Sequence, residues 1–134
     1  MSENGTKAMN FHLNCDSKGK TLILIETNEG IRIGGYTSLQ WNMDGIKKYG
    51  ENVFLISFQN NNFRKIPLIR QNKLGSIICD MNNGPSFDEF LVIKNNDLTK
   101  VYIENDSLMR MLGLSKKIFN IKELEVFQVN IKYN

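Results

Sequence analysis

The chain of 134 residues has one histidine, two cysteines and a close pair of glutamates with obvious chemical reach. His12, Cys15 and Asp16 fall within five residues, and Cys79 lies further on. Histidine and thiolate are good zinc ligands, and this spacing is ligand-like. A structural zinc site needs a second close-spaced pair, which is missing. The expectation is therefore no metal, a surface His12 and two ordinary thiols. A redox pair of Cys15 with Cys79 would need Cα atoms about 4.4–6.8 Å apart and at least one exposed thiol of lowered pKa. Cys79 follows Ser76-Ile77-Ile78, an apolar setting that suits a buried, inert side chain.

Nucleophilic hydrolysis needs a serine, a histidine and a carboxylate brought together. Ser86 sits in a turn and could be exposed, but no G-x-S-x-G elbow is present. Glu123 and Glu125, two apart on a strand, point to one face, where they could act as an acid/base pair. A structural or binding role is the expectation, and they are the best candidates for something beyond packing. Gly34-Gly35 lies between strand residues and does not open a helix, so it does not read as a phosphate cradle. The chain reads as a non-enzyme, with no catalytic residue, cofactor or metal assigned.

Composition sets the background. Hydrophobic residues are 41% and charged residues 23%, close to ordinary globular usage. The length fits one domain, read as residues 11–134 behind a flexible lead over 1–10. The net charge is +3 and the pI about 8.9. Basic residues come as scattered pairs, Lys47-Lys48, Arg64-Lys65 and Lys116-Lys117, which read as solubilising surface. A weak attraction to nucleic acid is permitted, and binding it as a stress-response regulator is the alternative function. No apolar h-region follows Met1 and no apolar run reaches membrane-spanning length, so an intracellular location is expected, cytoplasmic or nuclear.

The positioning elements follow from periodicity. Residues 21–26 (TLILIE) form a continuous apolar run, and 31–38 (IRIGGYTS) continue after a turn, which predicts a hairpin. Residues 39–50 read as a short helix or an irregular loop. Residues 52–58, 66–70, 75–80, 87–94 and 100–105 supply further extended segments. Residues 106–114 (DSLMRMLGL) predict a helix with Asp106 as cap, a Leu108, Met111, Leu112 stripe and Gly113 as stop. In 121–133, Phe127, Val129, Ile131 and Tyr133 alternate with polar residues. The same alternation puts Glu123 and Glu125 on that apolar face, unless a bulge near Glu125 shifts them. Six or seven short strands and at most two short helices predict a mainly β fold without a parallel sheet.

The ordered set of segments resembles the TLDc domain of oxidation-resistance proteins. Residues 15–41 (CDSKGKTLILIETNEGIRIGGYTSLQW) look like its central block. ENVFLISF, NNGPSF and FNIKELEVFQV are similar to later pieces, in the same order. The resemblance covers roughly 11–130, with the chain shortened at the N-terminus: the family has helical elements ahead of the central block, and ten residues precede Phe11 here. It implies a β-sandwich of two antiparallel sheets with a few short helices. It also implies framework roles for Gly34, Gly35, Tyr36, Trp41, Gly84, Pro85 and Phe87. The implied function is a protein-interaction module linked to oxidative-stress protection, with subunits of the vacuolar proton pump (a V-type ATPase) as partners. A homodimer through an exposed sheet edge stays open. In a sandwich, Gly34-Gly35 would permit a bulge or the approach of a large ring, with Trp41 and Tyr36 the candidates.

Overall fold

A computed structural model describes residues 8–59, 61–68, 75–88, 90–94 and 96–129. Among these there are two helices, α1 (Ala8–Cys15) and α2 (Asp106–Leu112). The strands are β1 (Thr21–Thr27), β2 (Arg32–Thr37), β3 (Lys47–Gly50), β4 (Val53–Gln59), β5 (Asn62–Pro67), β6 (Gly75–Ile78), β7 (Ser86–Phe87), β8 (Leu91–Val92), β9 (Lys100–Tyr102) and β10 (Ile118–Gln128). Eight of them form one antiparallel sheet in the order β5-β4-β2-β1-β10-β9-β8-β7, and β3 pairs with β6 in a second, small sheet. The protein is mainly β, as its alternation predicts.

The eight-stranded ladder coils back on itself. Phe87 of β7, at one end of the order, lies over Gly35 of β2 near the other end. Twist accumulated across a long sheet makes such closure natural. The core fills the space enclosed between these ends. Ile23, Ile25, Ile33, Val53 and Leu55 come from the inner faces of β1, β2 and β4, and Ile77, Phe87, Leu91, Val101 and Phe119 from the opposite side. Each strand contributes alternate residues, which is why β1 shows the buried-to-open alternation of a half-buried strand.

Several elements differ from the sequence reading. Ala8, Met9 and Asn10, read as part of a flexible lead, begin α1. Ala8 and Phe11 are buried, and the Ala8 amide donates to Asn96 Oδ1 at 2.9 Å. Residues 47–50, within the segment read as helix or loop, pair with β6 as β3. The QNNNFRK segment, read as a turn, carries the start of β5, and the extended reading of 66–70 lies partly outside the described residues. In α2 the N-cap is Asn105, not Asp106; its side chain accepts from the Leu108 amide at 2.9 Å. Gly113, at φ 68°, ends the helix as expected. Its buried face is Leu108 and Leu112, while Met111 is exposed.

Candidate interaction surface on the outer sheet face

Gly35 answers for itself first. A Cβ there would stand 2.6 Å from Phe87 Cζ, so the ring occupies the space a side chain would need. The large neighbour is Phe87, not Trp41 or Tyr36. Trp41 stands edge-on to Phe87 at 5.7 Å and to Phe11 at 5.2 Å, and its Nε1 donates to Thr21 Oγ1 at 2.8 Å. Tyr36 points to the other side of the sheet and stacks on Phe54 at 5.1 Å. Gly34 is excluded from any substitution by backbone, since its Cβ would fall 1.9 Å from the Ile23 carbonyl oxygen. Neither glycine marks a bulge, because the register of β2 against β1 runs unbroken through both.

Gly84 and Pro85 are buried, and the Gly84 amide donates to the Ile93 carbonyl at 2.7 Å. Ser86 is buried in β7 with its Oγ donating to the Gly84 carbonyl at 3.1 Å, so it is not an exposed turn serine. His12 is 2% exposed, which corrects its reading as a surface residue. Its Nδ1 lies 2.8 Å from Asp16 Oδ1, and its Nε2 lies 2.7 and 2.8 Å from the Asp80 and Asn83 carbonyl oxygens. Oxygen atoms stand within hydrogen-bond distance of both ring nitrogens. His12 thus ties α1 to the 80–83 turn. No group of three metal-binding side chains gathers among the described residues.

Both cysteines are free and buried. Burial pushes the Cys15 thiol up to about 11, with Asp16 adding to the rise. Burial raises the Cys79 thiol too. A thiol so held is protonated at neutral pH and is a poor nucleophile towards peroxide.

Glu123 and Glu125 are on the outer face of β10, with Phe127 beyond them. The core face of this strand belongs to Phe119 and Leu124, with Ile121 and Val126 packed beside them. The alternation was therefore legible, but the face it marked is the outward one. Val129 follows β10, and Ile131 and Tyr133 lie outside the described residues. The register shift sits where Glu26 faces Glu123 and Thr27 faces Ile121, which makes Lys122 the extra residue rather than one near Glu125.

Across the outer face the register builds three rows. Phe127, Leu22, Tyr36, Phe54 and Pro67 make one. Glu125, Leu24, Gly34, Ile56 and Lys65 make the next. Glu123, Glu26 and Arg32 begin the third. An antiparallel sheet with one solvated face normally turns polar residues outward. Here Leu24 is 37% exposed, Phe58 42%, Phe127 44% and Phe63 63%. A cavity of about 260 Å³ opens among Leu24, Ile56, Phe58 and Phe63, with Glu26, Arg32, Glu123 and Glu125 at its rim. Arg32 Nε lies 3.7 Å from Glu26 Oε1. Among the described residues neither Glu123 nor Glu125 has an ion-pair partner.

A family model, the TLDc domain, matches residues 1–130. The chain belongs to the TLDc family. The match takes in α1, so the family's pattern extends ahead of the Phe11 boundary read from sequence, and it spans Gly35, Trp41 and Phe87, which meet in one core contact. No curated protein matches this TLDc chain closely enough to count as a relative. No helix among its described residues is long and apolar enough to cross a membrane.

Proposed function

We propose that this TLDc chain is a non-enzymatic interaction module, working inside the cell in protection against oxidative stress by docking on another protein. The observation that carries the reading is the outer sheet face, where exposed aromatic and aliphatic side chains surround a cavity rimmed by Glu26, paired with Arg32, and by Glu123 and Glu125, which have no ion-pair partner among the described residues. Exposed apolar patches of this kind mark sites of association. Burial of both thiols supports protection through a partner rather than through peroxide chemistry on the protein's own sulfur. Membership of the family supports subunits of the vacuolar proton pump as the partner in this reading.

The test is rescue of peroxide-sensitive cells lacking the protein. Cys15→Ala/Cys79→Ala, checked for folding by its melting curve, is expected to protect as well as wild type. Glu123→Lys/Glu125→Lys is expected to fold and fail to protect. Loss of protection in a folded thiol-free variant would overturn the reading.

A further inference from the structure

The interaction role rests on the outer sheet face, and the charges there specify what the partner brings. We infer that the cavity receives a protein segment that sets a large apolar side chain on its floor and a lysine or arginine against Glu123 and Glu125.

Three observations carry this. Glu26 and Glu123 stand directly opposite each other on β1 and β10, and like charges in that position destabilise a sheet. Glu125 adds a third carboxylate to the same rim, while among the described residues Arg32 is the one cation lining it and is already engaged with Glu26. The rim therefore has a net deficit of positive charge, which a cation from outside would relieve. The floor is apolar, formed by Leu24, Ile56, Phe58 and Phe63. Its volume, about 260 Å³, lies below the roughly 300–1,000 Å³ of sites that enclose a whole small molecule, and suits an anchoring side chain. The same carboxylates repel nucleic acid, anionic lipid and acidic peptides at this face, in spite of the net charge of +3.

The experiment is a titration of the isotopically labelled full chain with synthetic amphipathic peptides of about twelve residues, the length of a short docking segment. One combines phenylalanine and leucine with lysine and arginine. A second replaces the basic residues by glutamate, and a third replaces the apolar residues by serine. The expected result is amide shifts centred on β1, β2, β4 and β10 with the first peptide, and affinity at least about tenfold weaker with either control. Glu123→Gln/Glu125→Gln should bring a similar loss, and salt should weaken binding. Equal binding of the acidic peptide, shifts centred elsewhere, or these amides moving on self-association or on anionic vesicles would overturn the inference. Absence of peptide binding also overturns it. If purified pump sector still binds the chain in that case, the interaction role survives and only the partner chemistry falls; if neither binds, the role falls too.

Discussion

A glycine facing a phenyl ring is a sharp residue-scale constraint. Valine at position 35 would drive methyl groups into the Phe87 ring, 2.6 Å from where its Cβ must sit. Gly35→Val should cost about 1–3 kcal/mol of stability by denaturant melt, the usual range for overpacking. Phe87→Leu should be less damaging in the Gly35→Ala background than alone, because the two changes share one space. Independent, additive losses would show that the ring does not set the need for glycine. Cys15 gives a pH prediction. Its folded thiol is pushed up to about 11, above the ordinary value near 8.5 that the unfolded chain takes. Both states are neutral below that lower value, so neutral-pH stability is unaffected. Between it and about 11 the unfolded state loses the proton first, and stability falls as pH rises. The fall should be smaller in Cys15→Ala, and equal slopes would contradict the assignment. The glycines were legible as a bulge or a close approach, and the second holds, but the partner was not legible. Phe87 is 52 positions away from Gly35, and nothing local in either segment reports that a ladder of eight strands will bring its end over its own middle.

Helices and strands divide by how local their signals are. The α2 stop at Gly113 was readable because a left-handed residue after an apolar stripe is a local feature. Its start shifted by one residue because asparagine and aspartate are near-equal caps, and Asn105 has the extended backbone that lets its side chain reach the Leu108 amide. Asn105→Ala should cost about 1 kcal/mol by thermal melt. Asp106→Ala should cost less, and the reverse order would contradict the cap. The start of α1 was not readable. Its apolar residues are spread around the helix, with Met9 and Leu13 exposed, and much of what fixes it is distant: Ala8 on Asn96, and His12 on the carbonyls of Asp80 and Asn83. His12→Ala would take the ring's hydrogen bonding from the part-buried carbonyls of Asn83 and of Asp80, which keeps the Asn83 amide, a loss of roughly 0.5–1.5 kcal/mol for the hydrogen bonding alone by thermal melt. Strand β3 was missed because its four residues carry no alternation of their own, and its place comes from pairing with β6.

At the scale of the molecule, the inner and outer faces of one coiled sheet differ in what they bury. The inner face holds Ile23, Leu55, Phe87 and Trp41 in a sealed core. The outer face leaves Leu24, Phe58, Phe63 and Phe127 in contact with water beside three carboxylates. The period of two in β10 was visible in sequence, yet either face of an amphipathic strand can turn inward. Here the bulge at Lys122 lets Phe119 and Leu124 share the core while Glu123 and Glu125 stay outside. The edge strand β5 adds Arg64, Lys65 and Pro67, charges and a missing donor that discourage edge-to-edge pairing. The proposed docking therefore uses the outer face rather than an edge. The most direct measurement is the affinity of the purified chain for the cytosolic sector of the vacuolar proton pump. Wild type would be compared with Glu123→Lys/Glu125→Lys and with Glu51→Lys on the exposed turn before β4. Binding weakened by about tenfold or more in the double variant and unchanged in Glu51→Lys is the predicted result. Equal affinity for all three, with melting curves intact, would contradict it.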